Sequence, residues 1–325
     1  MKRMSSKNTF ILTEVILGIL LIISIGCIMY SKDNQEPEKI VVILPDVDEN
    51  QWSTFKYGLK MAAQEYGVNL VIISKDNMEN AYEELEVIEQ EIDNGADAVI
   101  FKPISDGSRQ ENLKQVTGNV PVLMVNDTFY GDKEKLFHTI EPDQYNMGVD
   151  LAQSILDDNN GNLQGKKIGI YSEYADSEAT EKRKQGVCDT LKNSGAEILW
   201  TASQNSDTTE QINLLTQRKV DIVIALDNSS LVEAGKEASE NNLGGALVYG
   251  MGNSTEALYY LDTGWVECLA VPDEVETGYQ SVSELVKKLR SRTYRLMDRE
   301  VSYSMLTREN LFAEENKYLL FTISQ

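Results

Sequence analysis

The chain has 325 residues, enough for two ordinary domains, and its 42% hydrophobic and 25% charged content is that of a globular protein. A formal net charge of −22 excludes nucleic-acid binding, because a polyanion is repelled along most of such a surface. Three cysteines without metal-ligand spacing and a single histidine, His138, leave little material for metal, thiol or Ser-His-Asp chemistry, so neither a metal nor a cofactor is expected.

Lys2, Arg3 and Lys7 precede an apolar stretch that is uncharged from Val15 to Tyr30. That stretch exceeds a secretory h-region slightly, and with Phe10–Leu12 counted across Glu14 it reaches the roughly 20 residues a bilayer span needs. The basic flank places the N-terminus inside and everything after Tyr30 outside. Residues 1–30 are therefore read as a single-pass transmembrane anchor at the cell membrane, with the rest of the chain extracytoplasmic. Gly26-Cys27 leaves two alternatives open: lipidation at Cys27, or cleavage to a soluble product. Residues 31–38 are polar, contain Pro37 and read as a short tether.

From Lys39 onward, apolar runs alternate with helical patterns. Residues 39–44 (KIVVIL) form a buried-type strand, and residues 52–66 place Phe55, Leu59, Ala62 and Tyr66 at helical spacing before Gly67. Strands follow at 68–74, 97–102 and 121–126, with a helix between the first two that carries Ala81, Leu85, Ile88 and Ile92 on one face. After Glu141-Pro142 the rhythm resumes. Strands are predicted at 166–172, 196–202, 220–226, 246–251 and 265–271, with helices at 178–193, 208–217, 229–242 and 254–261. Near-continuous apolar strands alternating with amphipathic helices predict an α/β chain of two doubly wound parallel-sheet lobes. Cys188 in a helix and Cys268 in a strand read as packing residues, a disulfide between them being the alternative.

Open parallel sheets bind ligands beyond the carboxyl ends of their strands. Those ends fall at 45–52, 102–106, 126–129, 172–177, 227–230, 252–254 and 271–274, and Asp, Glu, Asn and Ser dominate them, with Trp52 the one large aromatic. No G-x-x-x-x-G-K-[ST], G-x-G-x-x-G or G-x-S-x-G occurs, so no enzyme is expected. Asp46, Asp48 and Asn50 imitate the start of a calcium loop, but Tyr57 stands where its bidentate glutamate belongs.

Several segments in order (Asp48 to Trp52, YGVNLVI, NGADAVIFKPIS, VPVLMVND, EPDQYNMG, VDIVIALDNSS and LVYGMGNS) make the chain from Lys39 to about Tyr303 resemble the type I periplasmic binding proteins of the ribose- and galactose-binding group. The resemblance implies two lobes with three chain crossings. The N-lobe would be residues 39–142 plus 272–298, and the C-lobe 143–271 plus 299–325, with Val301–Leu306 as last strand and the residues beyond Leu306 unassigned. It also implies ligand contacts at Asp48, Asn50, Trp52, Asn126, Asp127, Glu181, Asp227, Asn228 and Asn253. Trp52 would stack on a sugar ring, or else staple its helix to the core. Asn126-Asp127 replaces an Asp-Arg pair of the family, Glu181 stands where an arginine is common, and Arg183 is expected to point elsewhere. Asp227 would contact ligand or, with Ser229, only cap the following helix. The implied function is binding of a small polar solute, most simply a sugar, for ABC-type uptake through a permease. A membrane-tethered sensor presenting its liganded state to a histidine kinase is the alternative. Acidic strand ends lacking the family's arginines predict an uncharged or cationic ligand.

Overall fold

A computed structural model of the chain describes residues 14–22, 36–45, 52–75, 81–103, 110–128, 136–174, 177–205 and 213–319. Two compact units divide the chain, residues 1–38 and 39–325. In the first, residues 14–22 form a helix, α1, whose side chains are exposed. Among the described residues no helix is long and apolar enough to cross a membrane. The rest of the apolar run, Cys27 included, lies outside the described residues, as do Asp48 and Asn50.

The second unit is built on two six-stranded sheets. The first contains β1 (Lys39–Pro45), β2 (Asn69–Lys75), β3 (Ala98–Phe101), β4 (Val122–Val125), β5 (His138–Pro142) and β11 (Arg299–Val301), in the order β11-β5-β4-β3-β1-β2. All its pairings are parallel. The second contains β6 (Lys167–Tyr174), β7 (Glu197–Asn205), β8 (Ile222–Ala225), β9 (Leu247–Met251), β10 (Cys268–Pro272) and β12 (Tyr303–Thr307), in the order β12-β10-β9-β8-β6-β7. There only the β10–β12 pair is antiparallel. Each sheet thus repeats the 2-1-3-4-5 order of a doubly wound fold and gains one edge strand from the C-terminal region.

Strand alternation explains the layers. Ile40, Val42 and Leu44 of β1 face α2 (Ser53–Tyr66) and α9 (Glu274–Arg290), whereas Val41 and Ile43 face α3 (Ala81–Asp93) and α4 (Gln110–Thr117). In the second lobe Ile168 and Ile170 pack with α5 (Gln144–Asp158) and α6 (Glu178–Leu191), and Tyr171 packs with α7 (Asn228–Ser239) and α8 (Thr255–Asp262). Glycines let two helices meet backbone to backbone in each lobe. A Cβ on Gly58 of α2 would lie 2.1 Å from the Val275 carbonyl oxygen of α9, and one on Gly148 of α5 would lie 2.1 Å from that of Arg183 on α6.

Six elements differ from the sequence reading, and two of them, α4 and α5, are helices it did not assign. β5 is a strand the pattern missed. Of the helix read at 208–217, the described part is a 3₁₀ turn, Leu214–Thr216. The strand read at 301–306 divides at Ser302, its first residue joining one sheet through β11 and the rest joining the other through β12. Of the unassigned C-terminal segment, the described residues 307–319 fold back onto the second lobe, where Leu311 is buried and Leu319 packs on the same cluster. Cys188 and Cys268 are free thiols in one apolar cluster, and burial pushes the Cys268 thiol up to about 11.

Candidate functional site

The carboxyl ends of both sheets meet where the chain passes between the lobes, and the polar residues there form one connected network. Asn126 follows β4 with a left-handed backbone (φ 60°), a conformation asparagine tolerates better than most residues. Its Nδ2 donates to Glu274 at 2.8 Å (Oε1) and 2.9 Å (Oε2), and its backbone carbonyl accepts from Gln144 Nε2 at 3.2 Å. Gln144 Oε1 in turn accepts from Arg183 Nε at 2.7 Å, while Arg183 Nη1 donates to the Leu226 carbonyl at 2.6 Å. Arg183, expected to point elsewhere, therefore joins the network and links α5, α6 and the end of β8. Burial lowers its pKa, opposed by Asp227, Asp127, Glu141 and Glu274.

Asp127 joins the lobes directly. Its buried carboxylate accepts from Ser177 Oγ at 2.6 Å and from the Ala179 backbone N–H at 3.1 Å, both at the start of α6 in the other lobe. An aspartate from the first lobe thereby satisfies a donor at the N-terminus of a helix in the second. Lys182 on α6 adds an ion pair across the lobes, 3.6 Å from Glu141. Burial pulls the Lys182 pKa down, but Glu141 and Glu178 outweigh it and the net shift is upward.

The second lobe's strand ends hold one another. Asp227 caps α7, accepting from Ser230 N at 2.9 Å in a reciprocal capping box, and its Oδ2 also accepts from Glu173 N at 2.7 Å. Asn228 Oδ1 accepts from the backbone N–H groups of Asn253 and Ser254, each at 3.1 Å. Asn253 Nδ2 reaches Glu274 Oε1 at 3.4 Å. Glu274, in the first turn of α9, thus touches strand ends of both lobes. Burial pushes its carboxyl up to about 7, against the opposing pull of Asn126, Lys102 and Arg183 and with a small addition from Asp273.

The predicted residues divide accordingly. Asn126, Asp127, Asp227, Asn228 and Asn253 come together. Glu181 instead pairs with Lys184 on its own helix. Trp52 is buried in the first-lobe core, edge-on to Phe55 with centroids 5.8 Å apart, and the Lys102 ammonium lies 5.5 Å from its ring centroid. Its indole N–H has no hydrogen-bond partner among the described residues. Glu274, Lys102 and Gln144 are site residues the sequence reading did not choose. Two of them stood at strand ends already noted, 102–106 and 271–274. Among the described residues no group of His, Cys, Asp and Glu could hold a metal ion.

Two α/β lobes in contact at the carboxyl ends of their strands, linked by three chain passages, place this polar network where open α/β sheets bind ligands. A family model described as a periplasmic binding protein domain matches residues 40–293, and the chain belongs to that family. Solved structures share the fold across nearly their whole length. A carbohydrate transporter solute-binding protein from Agrobacterium radiobacter, in complex with D-arabinose, is 17% identical with a TM-score of 0.77, covering 88% of this chain and 99% of its own. A solute-binding protein from Agrobacterium vitis with bound D-fucose is 17% identical with a TM-score of 0.73, the shares being 86% and 98%. One from Bacillus halodurans C-125 with bound myo-inositol is 19% identical with a TM-score of 0.72, covering 88% and 99%. No curated protein matches at the sequence level.

Proposed function

We propose that the chain binds a sugar or a related polyol between its lobes, outside the cytoplasm, and delivers it to an ABC-type importer. The observation that carries this reading is the convergence of Asn126, Asp127, Asp227, Asn228 and Asn253 from the strand ends of both sheets, in a family of solute-binding proteins. The structures with bound D-arabinose, D-fucose and myo-inositol support a polyhydroxylated ligand. Thermal unfolding of the purified full chain with sugars, polyols, amino sugars and sugar phosphates tests it, because a ligand bound only by the folded state raises the midpoint. A sugar or polyol should do so and a sugar phosphate should not.

Residues 1–30 serve as the membrane anchor in this reading. The uncharged run after Lys2, Arg3 and Lys7 supports it, as do the exposed apolar side chains of α1. Protease added to intact spheroplasts or protoplasts should degrade residues 39–325; survival until lysis sinks the topology. The eight residues from Ser31 to Glu38 reach at most about 28 Å, which holds the clamp close to a fixed membrane partner. That short reach suits an importer and equally a sensor kinase. Co-purification with a permease or with a kinase decides between them.

A further inference from the structure

The site contains a buried carboxylate with no direct counter-charge among the described residues. Glu274 is 5% exposed, and among the described residues its oxygens receive only the side-chain amides of Asn126 and Asn253. No lysine or arginine among the described residues forms an ion pair with it. Beside it, Asn126 Oδ1 is also buried and has no partner among the described residues. Turning the amide over does not help, since it would set Oδ1 against the carboxylate and leave the NH₂ group unpaired. Buried charge and buried unpaired acceptors are both costly, and here they lie one amide apart on a backbone held at φ 60°.

We propose that Glu274 and Asn126 Oδ1 form an acceptor pair that receives an O–H or N–H group of the bound solute, and that this pair selects against solutes presenting a carboxylate or phosphate there. The inference rests on the solute-binding reading above and assigns the residues that set its specificity. Asn126 and Glu274 both belong to the first lobe, and Asn253 after β9 of the second lobe donates to the same carboxylate, so a donor held here is bound beside the contact between the lobes. The charged groups that act on Glu274 are Lys102 after β3, Arg183 on α6 and Asp273 beside it. With its carboxyl pushed up to about 7, the empty site is partly protonated at neutral pH. A donor from the solute stabilises the carboxylate and expels that proton, whereas an acceptor needs the protonated form and takes a proton up.

Calorimetry of the full chain at pH 7, in buffers of different ionisation heat, reads this directly. The probes are D-arabinose, D-fucose, myo-inositol, D-glucosamine and D-glucuronate. A neutral or amino probe should bind with proton release. Glu274→Gln should weaken it about tenfold or more, while Glu276→Gln in the same helical turn keeps wild-type affinity. Proton uptake, no proton exchange, or unchanged affinity in Glu274→Gln overturns the proposal and leaves solute binding intact. If no probe binds the wild type, the solute reading itself falls and this one with it. Should Glu274→Gln fail to fold, the wild-type proton count alone decides.

Discussion

Replacing Glu274 by glutamine should make the empty protein more stable above neutral pH. Folding pushes this carboxyl up to about 7, against an ordinary value of 4.5. Below 4.5 both folded and unfolded chains carry the proton. Between the two values the folded chain keeps a proton that the unfolded chain has released, so the stability tied to this group falls as pH rises through that window and levels off above it. This is the reverse of the usual ion-paired carboxylate, whose contribution is lost on acidification. At 1.36 kcal/mol per pH unit the fall amounts to about 3 kcal/mol. Glutamine keeps the shape and has no charge to bury, so the variant escapes the loss. Urea unfolding of both proteins at pH 4.5 and pH 8 measures it. The variant should gain about 3 kcal/mol on the wild type between the two conditions; parallel pH dependence refutes the reasoning. Gained stability with weakened binding is the pattern of a residue kept for function rather than for the fold.

The other perturbations act on contacts already described. Asp127→Ala removes the bond from Ser177 and the partner of the Ala179 N–H, and should cost about 2–4 kcal/mol in urea unfolding, with Asp127→Asn less severe. Stability within 0.5 kcal/mol of wild type, the range of an ordinary surface change, would show that the lobes do not depend on this link. Gly148→Ala drives a methyl into the Arg183 carbonyl and should cost about 1–3 kcal/mol, seen as a lower thermal midpoint, whereas Gly18→Ala has open space and should cost far less.

The lobes were legible because each strand is a near-continuous apolar run between helices with a clear face, and Gly67, Gly95 and Gly195, all at positive φ, mark turns where α2, α3 and α6 give way to strands. β5 escaped because His138, Thr139 and Glu141 break its apolar run. It is a strand through its pairing with β4 on one side and β11 on the other, which no local pattern records. The division at Ser302 is likewise a property of two sheet edges, not of the run VSYSML. At the site, Asn126, Asp127, Asp227, Asn228 and Asn253 stood out as polar residues closing apolar strands. Their partners did not. Glu274 lies 148 residues from Asn126, and only the fold makes it the carboxylate that Asn126 and Asn253 share. Asp227 could be read as ligand contact or cap from its position alone, and the structure shows the cap.

Small-angle scattering from the full chain, recorded empty and with saturating D-arabinose, D-fucose or myo-inositol, tests the clamp most directly. A solute that touches both lobes favours the closed state by its differential affinity. The account predicts that at least one of these ligands binds and that the radius of gyration falls when it does. Saturation by a ligand with no change in radius, or binding of none of them, contradicts it.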